Sequence, residues 1–298
     1  MFKKFSKILT IFVAVFVLAS LKFDAFAVSN MYVVSDEREL KGAVENACAY
    51  DYIRMENDIE ISGNLYLNKS MVLDLGGHNL YLGDVKSNIL IGDKVFSHQE
   101  AYNISVPGYY TNEDEIIYDD IVVTKKVWHP GRTITNYRDV YDYRDSVEVS
   151  IKNGVIRHVN GLNGRDGVSN SWNDYDGRDG ETPSEVFKVI SGSLRLYNVC
   201  AYGGYGGNGG NGSYQKLIHV PFGGGNGGNG GNGGNGGDVI NLTRENCDVY
   251  LYENTMLIPG IGGKGGQKGE KNDEYWLYSG FKGKNGKDGK SGVKIVRG

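Results

Sequence analysis

From residue 51 onward, apolar and polar side chains alternate in short runs. Tyr52-Ile53-Arg54-Met55, Ile59-Glu60-Ile61, Leu65-Tyr66-Leu67, Met71-Val72-Leu73-Asp74-Leu75 and Leu80-Tyr81-Leu82 each place every second residue on one face. That period of two predicts short half-buried strands, and the Gly, Asn and Asp residues between them predict turns. Ahead of the strands, Leu40, Ala43, Val44 and Ala47 recur at helical spacing. They predict a helix over 35–49 with Ser35 as its cap. The alternating text returns at Val147-Glu148-Val149-Ser150-Ile151, Leu194-Arg195-Leu196 and Val249-Tyr250-Leu251, running into Asn153, Asn198 and Asn254. Each run leads to a second short apolar strand and then to a Gly-rich tract, and Val293-Lys294-Ile295-Val296 closes the last. Stacked rungs would bring Asn79, Asn153, Asn198 and Asn254 to one corner, where amide side chains bond from rung to rung. Residues 91–145, rich in Tyr and acid, break the pattern and predict an irregular β excursion covering a flank.

The Gly-rich tracts follow a period of three. In 203–237 most triplets read Gly-Gly-Asn, interrupted by Tyr214-Gln215-Lys216-Leu217-Ile218-His219-Val220-Pro221-Phe222. Such text suits neither helix nor sheet, because each Gly forfeits backbone entropy and brings no side chain. Three residues per turn is the repeat of polyproline II. A lone strand of this kind is a flexible linker, but the same plan occurs three times, at 161–181, 203–237 and 260–292. Each tract has an outgoing arm, an apex with large side chains and a return arm, so six polyproline II strands in three hairpins are expected. A Gly column lets a neighbouring backbone approach closely enough to pair. The middle hairpin, with two Gly columns, is expected between the other two, whose charged columns face water. Its return arm can extend about 45 Å at roughly 3.1 Å per residue. Collagen is excluded by the short broken arms and by the absence of Pro from them. Calcium-binding Gly-Asp repeats are excluded by frame, and Asp166, Asp174, Asp176 and Asp179 are read as solvated charges.

The helix, the short strands and the Leu-Asp-Leu-Gly-Gly-His-Asn-Leu text at 73–80 together resemble the opening of right-handed parallel β-helix proteins of the pectin-lyase-like class. The resemblance implies a coiled base whose rungs stack about 4.8 Å apart, so that arms inserted at one point of successive rungs start side by side. The Gly triplets of 161–292 resemble the glycine-rich polyproline II adhesins at the tips of T-even-like phage tail fibres, where loops joining the arms contact a host receptor. They are also similar to six-strand polyproline II antifreeze proteins. The chain departs from the first in having an export signal and a β-helix base, and from the second in its charged arms and large apex loops.

Composition refines this picture. Lys3, Lys4 and Lys7 precede an apolar stretch over 8–19, and Ala25-Phe26-Ala27 fits a cleavage site, so 1–27 is expected to be a signal peptide. Its core is too short for a comfortable membrane span, and no other run reaches that length. The formal charge of -4 becomes more acidic once these lysines are removed, which argues against a nucleic-acid partner. The three cysteines, Cys48, Cys200 and Cys247, are too few for a disulfide scaffold. Cys200 with Cys247 is the one pair to consider, and free buried thiols are the expected state.

The expected organisation is all-β: a signal peptide at 1–27, then a cap helix and parallel β-helix rungs over 28–160 with the excursion at about 91–145. Further rungs follow at about 185–202, 238–259 and 293–298 within 161–298, separated by the three hairpins of a six-strand polyproline II bundle. No GxSxG, HExxH or P-loop text is present, and no cofactor or metal set is expected. Asp74, His78, Glu148 and Arg195 are the candidates for a polysaccharide lyase or hydrolase, which is the alternative reading. A non-binding structural spacer is a third. The preferred reading is a non-enzymatic, secreted or surface-associated adhesin-like protein. It binds a cell-surface glycan or protein receptor through apex aromatics Trp172, Tyr175, Tyr214, Phe222, Tyr275, Trp276 and Tyr278, which can also pack on one another to cap the arms.

Overall fold

A computed structural model describes residues 30–118, 121–143, 146–169, 174–214, 225–271 and 281–297. The expected signal peptide lies outside them. The described chain is all-β apart from one helix, α1 (Glu37–Asn46). Its N-cap is Asp36, whose carboxylate accepts the Glu39 amide at 2.8 Å, while Glu39 reaches back to the amide and hydroxyl of Ser35. The cap therefore sits one residue later than Ser35, and Ser35 holds the reciprocal half of the capping pair. Leu40, Ala43 and Val44 face the core as the spacing predicts.

The strands then make successive parallel passes. The first is β1 (Met31–Val34). Next come β2 (Asp51–Met55), β3 (Ile59–Ile61) and β4 (Leu65–Leu67), then β5 (Met71–Asp74), β6 (Asn79–Leu82) and β7 (Ile89–Ile91). Four further strands, β8 (Lys94–Val106), β9 (Tyr109–Tyr118), β10 (Ile121–His129) and β11 (Arg132–Tyr143), intervene. The passes resume with β12 (Glu148–His158) and β13 (Phe187–Val189), then β14 (Ser193–Tyr202) and β15 (Ile240–Leu242), then β16 (Asp248–Tyr252), β17 (Met256–Ile258) and β18 (Ile295–Arg297). Every pairing among the passes is parallel, in one sheet running β1-β2-β5-β12-β14-β16 with β3, β6 and β17 attached, and a second running β4-β7-β13-β15-β18. The parallel sheets curl into a half-barrel. Alternation drives the packing: Ile53, Leu73, Ile151 and Leu196 stand in register inside, as do Ile59, Leu80, Ile156 and Ala201, and all are fully buried or nearly so. In the second sheet Leu65, Ile89, Phe187 and Ile240 form the matching column.

Two corrections concern the corner and the excursion. Asn153 (φ 58) and Asn198 (φ 53) do occupy one left-handed corner, with Asn198 Nδ2 3.5 Å from Asn153 Oδ1. In the last pass the extra residue brings Glu253 (φ 52) to that position instead of Asn254, because Tyr252 pairs with Tyr197. Asn79 stands past the turn and bonds Asp58. The excursion consists of two long antiparallel pairs, β8 with β11 and β9 with β10, each broken by one register shift, at Val140/Tyr141 and Ile121/Val122. Among the described side chains, none from β8 to β11 belongs to the hydrophobic core.

The Gly tracts leave the passes at one point, after β12, β14 and β17. The six arms have no helix or strand, yet they are densely bonded. Every amide from Gly227 to Gly237 donates a hydrogen bond. In one triplet Gly230 donates to Lys284 O, Gly231 to Gly210 O, and Asn232 to Asp179 Oδ1. The cycle therefore points to the third hairpin, the outgoing arm of the second, and the first. The third-column side chains continue it, since Asn232 Oδ1 accepts the Lys287 amide at 3.0 Å. Asp166, Asp176 and Asp179 likewise accept amides of Asn211, Asn229 and Asn232 at 2.6 Å, so they are bonded groups and not merely solvated charges. Asp174 instead pairs with Arg165 and Arg178.

Candidate functional site

The far ends of the arms are tied to one another. In the first hairpin the Val168 amide donates to Asp174 O at 2.6 Å, and Asp174 pairs with Arg178 at 2.8 Å and Arg165 at 3.2 Å, closing its neck. Ser169 Oγ lies 2.7 Å from Ser213 Oγ, and the Ser213 amide donates to Tyr175 O at 2.7 Å, joining the first hairpin to the second. Within the second, Tyr214 and Gly227 form an antiparallel bridge. Gly227 then donates to Phe281 O and Gly269 to Gly228 O, both at 2.8 Å, which brings in both arms of the third. Lys282 and Glu270 pair across the third neck at 2.8 Å. The hydrogen bond from Lys282, opposed by some desolvation and helped by the charges of Lys268 and Lys271, holds the Glu270 carboxyl below its usual range.

Of the predicted aromatics, Tyr175 and Tyr214 are described, and both are half-buried at this junction. Trp172, Phe222, Tyr275, Trp276 and Tyr278 lie outside the described residues. Phe281, which the sequence reading absorbed into an arm, stands at the same end with 82 % of its surface exposed. Its signal was an aromatic in a triplet position otherwise filled by Lys284, Lys287 and Lys290.

The four enzyme candidates fall among different partners. Asp74 accepts from Tyr52 Oη, the Gly76 amide and Asn153 Nδ2. Burial raises its pKa, but these bonds and the charge of Arg54 outweigh burial and hold the carboxyl below its ordinary 3.8. Tyr52, raised chiefly by burial and then by the Asp74 carboxylate, is pushed up to about 12. His78 faces Asp58 at 3.5 Å and Arg195 pairs with Glu148 at 3.1 Å. Asp74 is in register with Lys152, four residues beyond Glu148 on the same strand. The two carboxylates are thus about 13 Å apart along the ladder, wider than the roughly 5 to 9.5 Å used in glycoside hydrolysis. Among the described residues no three His, Cys, Asp or Glu side chains come together to hold a metal ion.

Asp74 carries a pH prediction. Its folded pKa lies below the unfolded value, so its contribution is complete above 3.8 and is lost as pH falls through the lower folded value. Asp74→Asn should flatten the acid limb of an unfolding-versus-pH curve below about pH 4. An unchanged acid limb would show that the carboxylate is not coupled to folding.

Some outward-facing aromatics elsewhere pair with one another or with cations. Tyr197 and Tyr252 stack at 4.4 Å, and Arg157 lies over Tyr202 at 4.2 Å. A hollow of about 300 Å³ at the root of the first arm is lined by Glu60, Tyr81, Arg157, His158 and Asn160 among others. His158 is buried there between the carbonyls of Ser87 and Val159, at 2.8 and 2.9 Å, and pins the chain as it leaves β12. Cys48, Cys200 and Cys247 form no disulfide, and Cys48 is exposed where a buried thiol was expected. No described helix is long and apolar enough to cross a membrane. No protein-family model, curated protein or solved structure matches the chain.

Proposed function

We propose that the chain is a secreted or surface-associated recognition protein. In this reading the passes are the rungs of a parallel β-helix, the arms are a six-strand polyproline II bundle, and the apices bind a cell-surface glycan or protein receptor. One observation carries it: the residues flanking all three apices, Ser169, Tyr175, Tyr214, Gly227, Gly269 and Phe281, belong to one hydrogen-bonded junction. Three loops leaving one rigid junction make a composite surface, and scaffolded loops rich in aromatics are where recognition concentrates. The amide cycle of the arms supports the rigidity, since each ordered residue must offset roughly 1 to 2 kcal/mol of backbone entropy.

The test is a glycan and receptor array probed with the wild type and with Trp172→Ala/Tyr214→Ala/Trp276→Ala. Binding should fall at least about 1,000-fold, since three residues are removed and two anchors worth roughly 2 kcal/mol each already amount to that. The circular dichroism should not change. Undiminished binding by the variant would move the site away from the apices.

A further inference from the structure

The three return arms lie side by side and present a flat face built from repeating levels. At the first level the Asn229 amide donates to Asp176 Oδ1 at 2.6 Å and the Lys284 amide to Asn229 Oδ1 at 2.9 Å. At the second, Asn232 donates to Asp179 Oδ1 and Lys287 to Asn232 Oδ1; at the third, Asn235 donates to Thr182 Oγ1 and Lys290 to Asn235 Oδ1. All nine of these residues are exposed. The face therefore has an acidic column (Asp176, Asp179) on one edge, an Asn column in the middle and a Lys column (Lys284, Lys287, Lys290) on the other. The ion pairs of the arms lie elsewhere, at Arg165, Asp174 and Arg178 and at Lys282 and Glu270.

We infer that this face docks a second copy of the chain, in parallel, through a two-fold axis along the arms. Such an axis exchanges the two edges and keeps the levels. Lys284 of each copy then meets Asp176 of the other, Lys287 meets Asp179, and the Asn columns face each other. A two-fold across the arms would instead set Asp on Asp and Lys on Lys, which repel. One isologous arrangement is thus selected by charge. The backbone bonds fix the spacing of the columns in advance, so the ordering that remains is that of the Lys side chains. With levels about 9.3 Å apart and three arms abreast, the face covers on the order of 450 Å² per copy, below the roughly 800 Å² of a standard interface. The dimer is accordingly weak and salt-sensitive. Both junctions point the same way in it, so two sets of apices can engage one surface together and gain avidity. That last consequence rests on the proposed recognition function; the pairing does not.

Sedimentation equilibrium of the full chain tests it, in about 0.02 M and about 0.5 M salt. A concentration-dependent dimer is expected at low salt and monomer at high salt. Asp176→Asn/Asp179→Asn, which keeps the amide acceptors, and Lys284→Gln/Lys287→Gln should each weaken the dimer at least tenfold. Lys284→Asp/Lys287→Asp should be monomeric alone and should pair again when mixed with Asp176→Lys/Asp179→Lys. Amide exchange of the arms checks that each variant keeps its fold. A monomeric wild type at low salt, or a dimer that survives both neutralised variants, overturns the inference. So does a chain that stays monomeric but binds polygalacturonate through the Lys column, which would assign that column to an acidic polymer.

Discussion

Gly231→Ala should destabilise the protein by about 3 kcal/mol or more, although it adds one methyl group at a position without secondary structure. A Cβ on Gly231 would overlap the carbonyl group of Arg178 in the first hairpin. The Gly231 amide donates to Gly210 O, and its carbonyl accepts the Gly266 amide, so the residue is held on two further sides. Every obstacle is main chain, and no side chain can swing away to make room. Relief requires the arms to separate, at the cost of overpacking strain and roughly 1 kcal/mol for each hydrogen bond lost. Lys287→Ala, on the exposed edge at the level of Asn232, should change stability by no more than about 0.5 kcal/mol. Thermal unfolding of the two variants makes the comparison, and equal melting temperatures would mean that the arms do not pack as described.

Phe187→Ala should cost about 3 to 5 kcal/mol. Phe187 is fully buried in the column between Ile89 and Ile240, so truncation opens a cavity walled by strands that cannot collapse into it. The effect should reach the arms, because β13 begins just after the first hairpin returns. At its root Ser184 bonds Val85 and Val186 bonds Asp238, where the second hairpin ends. Denaturant unfolding measures the loss. A cost below about 1 kcal/mol would place Phe187 outside a close-packed interior.

The passes were legible because alternation is a local signal: Ile53, Leu73 and Ile151 each declare a buried face within their own few residues. The corner was only half legible, since Asn254 matches Asn153 and Asn198 in type while one extra residue in its own pass shifts it out of register. Ser35 and Asp36 are both good caps, and only the backbone decides between them. The length of the excursion's strands was not legible because its described side chains are mostly exposed, which removes the alternation that would announce long strands. In the arms the Gly columns were readable as close-approach positions. The Asn and Asp columns were not, because most of these side chains bond an amide in a different hairpin, as Asp179 does with Asn232. At the far end the convergence of Tyr175 and Tyr214 follows from the hairpin plan, whereas Phe281 was hidden inside arm text.

Amide exchange across the second return arm tests the account most directly. Polar glycine-rich text without helix or strand has no intrinsic reason to be protected, so protection there reports contacts between arms alone. The amides of Gly227 to Gly237 should all exchange slowly, including those of Asn229, Asn232 and Asn235, whose acceptors are side chains. Exchange at random-coil rates through this stretch would contradict the packed arms and, with them, the junction on which the proposed site stands.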